Sequence, residues 1–67
     1  FESANLTRTK FNGTSLIGAS FKNSLLVESD FTAANILNAN FEGANLNNAT
    51  WTDGNKCGLE SIGLCKK

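Results

Sequence analysis

A large apolar residue falls at every fifth position across most of the chain: Phe1, Leu6, Phe11, Leu16, Phe21, Leu26, Phe31, Ile36, Phe41, Leu46 and Trp51. From Leu6 onward a small residue stands two places before each: Ala4, Thr9, Thr14, Ala19, Ser24, Ser29, Ala34, Ala39, Ala44 and Ala49. A period of five matches neither common local repeat. Residues five apart on a helix differ by about 140° around the axis. On a flat strand they point to opposite faces. The chain must therefore turn once per repeat, returning each large side chain to a shared interior. Short segments joined by turns make coils, and stacked coils make an all-β solenoid.

The large residues alternate Phe and Leu, so the finer period is ten, and ten-residue coils would fit it. Four repeats per coil is the square solution and predicts ladders twenty residues apart. These are Phe1–Phe21–Phe41, Leu6–Leu26–Leu46, Phe11–Phe31–Trp51 and Leu16–Ile36, with aromatic over aromatic and aliphatic over aliphatic. Charge supports the longer coil. Glu2, Lys22 and Glu42 would stack with alternating sign, Arg8 would meet Glu28, and Lys10 would meet Asp30. Exposed pairs of this kind contribute about 0–1 kcal/mol each, so they fix register more than stability.

Two places before a large residue the side chain also points inward, at a corner of the coil, where only a small group fits at interior density. The position just before the large residue is often Asn or Asp, as at Asn5, Asp30, Asn35, Asn40 and Asn45. Such side chains bond back to nearby backbone and tolerate turns.

The pattern small–Asn/Asp–Leu/Phe–x–x, as in Ala34-Asn35-Ile36 and Ala44-Asn45-Leu46, resembles the pentapeptide-repeat family over residues 1–52. That resemblance implies a right-handed quadrilateral β-helix with a Leu and Phe axis, here about two and a half coils. The tail, Trp51-Thr52-Asp53-Gly54, Cys57, Ser61-Ile62-Gly63 and Cys65, is similar to the C-terminal end of exported members of that family. It implies a bacterial periplasm or a thylakoid lumen.

The next central position, Lys56, breaks the period, so residues 53–67 read as a capping segment. Solenoid ends need caps, because an open end exposes core and unpaired strand edges. Residues 58–65 are the candidate plug: Leu59 and Ile62 share one face of a short helical turn, and Leu64 adds a third apolar contact. Cys57 and Cys65 bracket it, and a disulfide there would contribute about 2.5 kcal/mol on the chain-entropy account. Two cysteines in so short a chain favour a structural disulfide and an oxidising compartment. The spacing is not Cys-x-x-Cys, which disfavours a regulatory pair, and two thiols without histidine make a poor metal site.

Sixty-seven residues make one domain, and its formal charge is zero. Beyond Lys66-Lys67 there is no basic run, so no nucleic-acid footprint is expected. No stretch is long enough for a transmembrane helix. The Phe1 end has no visible cap, so further coils or a partner are expected to cover it. There is no histidine, and the carboxylates of the ladders have basic partners, so no catalytic site, cofactor or metal is expected.

Three function classes follow. The first is a structural or protein-interaction module outside the cytoplasm, an accessory subunit docking on a larger membrane or photosynthetic assembly. Its candidate contacts are Ile17 and Leu37, one coil apart on one face, and Leu25 and Val27 on another. The second is a DNA mimic that binds topoisomerases, as some members of the resembled family do, but that needs a long acidic tower. The third is an ice-binding solenoid, which needs a threonine array that this chain lacks: Thr7 would meet Val27, and Thr14 would meet Ala34.

Overall fold

Every five-residue unit turns on the same hydrogen bond. The amide of the small residue donates to the carbonyl of the large residue three places earlier, as in Ala4 to Phe1 (3.2 Å), Ser24 to Phe21 (3.0 Å) and Ala44 to Phe41 (2.9 Å). The residue just before the small one has positive φ in every unit from Ser3 (55°) through Arg8 (62°), Glu28 (60°) and Ala33 (62°) to Asn48 (60°). Positive φ at the third residue of a four-residue turn marks a type II geometry, which suits Gly or Asn. Gly13, Gly18, Gly43, Asn23, Asn38 and Asn48 meet that demand; Ser3, Arg8, Glu28 and Ala33 do not. Left-handed backbone costs a residue with a Cβ about 1–2 kcal/mol. Glycine gives back about 0.4–1 kcal/mol through its freer unfolded state. Ala33→Gly is therefore expected to stabilise the protein by about 0.5 kcal/mol. A fall in the denaturation midpoint would show that the strain is not there.

The computed structural model describes residues 1–66. Parallel bridges join residues twenty apart: Asn5 with Leu25, Lys10 with Asp30, Ser15 with Asn35, Ser20 with Asn40, Leu25 with Asn45, and Asp30 with Thr50. Among the described residues there is no helix, and strand pairing within the tower is reduced to these single rungs. The result is a β-helix-like solenoid. Between rungs the backbone bonds run both ways, for example Leu16 N–H to the Asn35 carbonyl (2.7 Å) and Asn35 N–H to the Thr14 carbonyl (3.0 Å).

The axis is filled by the five-residue series. Phe21 stacks on Phe1 at 5.1 Å and on Phe41 at 5.0 Å, and Phe11 stacks on Phe31 at 5.0 Å. Rings in neighbouring columns meet edge to face, as Phe21 and Phe31 do at 5.9 Å and 88°. Both arrangements suit the ring quadrupole. Trp51 tops the second column, tilted on Phe31 at 5.4 Å. Phe11, Leu16, Phe21, Leu26, Phe31 and Leu46 are buried; Leu6, Ile36, Phe41 and Trp51 are half-buried, and Phe1 is exposed. At the corners Ser24 and Ser29 are buried, and their hydroxyls donate to the Phe21 and Leu26 carbonyls, both at 2.6 Å. Those short bonds satisfy the only polar atom that each small corner residue carries inward.

The segment after Trp51 differs from a helical plug. It doubles back antiparallel over the last coil, with Lys56 paired to Thr50 and Ile62 paired to Asn45. Leu46 N–H reaches the Ser61 carbonyl (2.7 Å), Asn48 N–H the Cys57 carbonyl (3.1 Å), and Gly63 N–H the Ala44 carbonyl (2.9 Å). Cys57 and Cys65 form a disulfide with Cα atoms 5.0 Å apart. Leu59, Ile62 and Leu64 stay exposed, at 72 %, 51 % and 55 %, and the buried cap residues are Cys57 and Ser61. Register explains this. Ile62 lies opposite Asn45, an outward position, whereas Ser61 and Cys57 bond to the backbone of Leu46 and Ala49 and bury their small side chains there. Lys67, the last residue of the terminal lysine pair, lies outside the described residues. No helix among the described residues is long and apolar enough to cross a membrane.

Candidate docking face

The outer columns carry the side chains available to a partner. Asn5, Asp30, Asn35, Asn40 and Asn45 each accept the amide two residues on, at 2.9–3.2 Å. These side chains are committed to holding their turns, which leaves the columns on either side to present chemistry.

Charge is distributed in pairs. Arg8 meets Glu28 at 3.1 Å, and Lys22 meets Glu42 at 3.6 Å. The other two proposed contacts are replaced. Glu2 accepts the Ser20 hydroxyl at 3.0 Å in place of Lys22. Asp30 accepts the Thr32 hydroxyl (2.6 Å), the Thr32 amide (2.9 Å) and the Asn12 amide group (3.1 Å), with Lys10 contributing only its field. The nearer neutral donors win because they lie in the same turn or on the adjacent rung, where no long lysine rotamer need be frozen.

Those donors hold the Asp30 carboxyl below its ordinary value of 3.8, the Thr32 hydroxyl most strongly, then the Thr32 amide and Asn12, with the charge of Lys10 last. A depressed native value adds stability above the ordinary value, and that stability is lost as pH falls through the native one. Asp30→Asn is therefore expected to flatten the acid limb of a plot of melting temperature against pH below about 4. An acid limb of unchanged steepness would mean that Asp30 is not a coupled group.

A groove of about 410 Å3 follows the bridged column Lys10–Asp30–Thr50–Lys56 beside the Arg8–Glu28 pair. Sequence reading does not locate it, because Lys56 joins the column only when the tail folds back. Its carboxylates are engaged by Arg8, Thr32 and Asn12.

Apolar side chains stand apart from this groove. Ile17 and Leu37 are 55 % and 62 % exposed. The Ser15–Asn35 bridge and the bond from Gly18 N–H to the Leu37 carbonyl (2.9 Å) set them one rung apart. Leu25 is exposed, but its neighbours on the ladder are Asn5 and Asn45, so it stands alone. Val27 is half-buried and offers less surface. Of the four apolar candidates, only Ile17 and Leu37 occupy equivalent positions on successive rungs.

A solenoid of five-residue turns with a ladder core is the class that this geometry defines. The family model for pentapeptide repeats (9 copies) matches residues 1–50, and the chain belongs to the pentapeptide-repeat family. No curated protein and no solved structure matches it.

Proposed function

We propose that this chain is a non-catalytic docking module that works outside the cytoplasm, as an accessory subunit of a larger assembly. The observation that carries the reading is the stacked, outward Ile17–Leu37 pair on a tower whose other columns are mostly polar. A rigid coil presents these side chains at little entropic cost, which favours association. The carboxylates of the charged groove are occupied, and the family is generally one of non-enzymatic structural modules.

The Cys57–Cys65 disulfide supports an oxidising compartment. The tail motif narrows that proposal to a periplasm or a thylakoid lumen, and a photosynthetic source would favour the lumen. The twenty-residue bridge offset supports a quadrilateral coil of four five-residue sides, about two and a half coils in residues 1–52, and the family resemblance alone supports its right-handedness.

The test is the double substitution Ile17→Asn and Leu37→Asn. Each buries roughly half a side chain on docking, so together they contribute about 2 kcal/mol, or about thirtyfold in affinity. The variant is expected to leave the complex from which the native protein is purified while keeping its melting temperature, since exposed substitutions shift stability by about ±0.5 kcal/mol. Retention of the variant in that complex would refute the strip.

A further inference from the structure

The returning tail caps only half of the last coil, and the other half is an open backbone edge. Inside the tower each large residue and each positive-φ residue donates to the coil below, as Leu16 does to Asn35 (2.7 Å) and Gly18 to Leu37 (2.9 Å). The coil below donates back, from Asn35 to Thr14 (3.0 Å) and from Asn40 to Ala19 (2.9 Å). One rung further down, the equivalent donors are the Ile36 and Asn38 N–H groups, and the equivalent acceptors are the Ala34 and Ala39 carbonyls. None of these four has a partner among the described residues. On the neighbouring half the tail satisfies the same set: Ser61 and Cys57 take the Leu46 and Asn48 amides, and Gly63 and Cys57 reach the Ala44 and Ala49 carbonyls. Burial follows the same division. Leu46 is fully buried under the tail, whereas Ile36 is only half-buried.

We propose that the edge from Ala34 to Phe41 takes a segment of a partner polypeptide, bent through one five-residue turn like the rungs above it, as its next rung, by backbone addition to the open edge. The register is dictated by the rungs above it. The segment offers carbonyls two residues apart to Ile36 and Asn38, and amides five residues apart to Ala34 and Ala39. Its second carbonyl-bearing residue falls directly below Leu37, so an apolar side chain there extends the Ile17–Leu37 strip. A whole coil of a second copy does not fit, because the tail lies across Ala44–Thr50 where that coil would continue. The site shares Leu37 with the docking face above but rests on a separate observation, the unpaired backbone.

The probe is a synthetic peptide with the sequence of Gly13–Ser20, which carries the required register, added at millimolar concentration to the oxidised full chain. Amide shifts in the protein are expected to centre on Ile36, Leu37 and Asn38, with the Ile36 and Asn38 amides exchanging at least tenfold more slowly. No change, or shifts centred elsewhere, overturns the proposal. The same peptide N-methylated at the two amides that face Ala34 and Ala39 is expected not to bind. Equal binding of both peptides would assign the contact to the Leu37 side chain alone, overturning backbone addition while leaving the docking face intact. Protection of Ile36 and Asn38 that grows with protein concentration in the absence of peptide would make a second copy the occupant and overturn it as well.

Discussion

Phe21→Ala is expected to lower the melting temperature by about 20 °C. Phe21 is fully buried, with rings on four sides: Phe1 at 5.1 Å, Phe11 at 5.6 Å, Phe31 at 5.9 Å and Phe41 at 5.0 Å. Truncating such a residue removes its transfer free energy and leaves a cavity, together about 3–5 kcal/mol. The upper part of that range applies here, because the coils above and below are held apart by backbone bonds and cannot close the gap. In a domain of this size each kcal/mol shifts the midpoint by about 4–8 °C. Small domains have little stability to lose. Phe41→Ala is the internal control: it is half-buried near the end of the tower and is expected to cost about half as much. Thermal unfolding followed by circular dichroism reads both. A drop of less than about 5 °C for Phe21→Ala would mean that the axis repacks like a fluid.

Removing the disulfide is expected to have a smaller effect. Cys57→Ser with Cys65→Ser opens a loop of separation 8, about 2.5 kcal/mol on the chain-entropy account. The loss should be uneven. The amides of Leu46 and Asn48, which donate into the tail, should exchange faster, while that of Leu26, which bonds to Asn45 within the tower, should change least. Hydrogen exchange on the oxidised protein and on the double variant measures this directly. Equal protection of Leu46 and Asn48 in both would show that backbone bonds alone hold the tail down and that the disulfide acts elsewhere.

The two effects differ in how far the sequence foretells them. Phe21 can be picked out from the five-residue period alone, because a side chain that recurs at that interval has nowhere to go but the axis. The Cys57–Cys65 pairing is legible from cysteine count and spacing. What it holds is not, since the helical spacing of Leu59 and Ile62 points to a plug that does not form. Backbone demand outweighed side-chain pattern there: the last coil had donors at Leu46 and Asn48 to satisfy, and an antiparallel return satisfies them while turning Ile62 outward. The docking strip is likewise only half legible. Ile17 and Leu37 are visible as apolar residues at polar positions, but their equivalence on successive rungs, and the isolation of Leu25 between Asn5 and Asn45, depend on the bridges.

The repeat by itself determined the turn frequency, the identity of the axis residues, the small corners and the side chains that clamp each turn. These depend on interactions within one unit or on a strict recurrence, and a linear code carries both. Only the tertiary structure decided the partner that each surface charge prefers, the path of the tail and the edge that it leaves open. Each of those is settled by which groups remain unsatisfied after the coils stack. That depends on atoms brought together from positions about twenty residues apart, or from opposite sides of a reversal, and no local pattern in the chain records it.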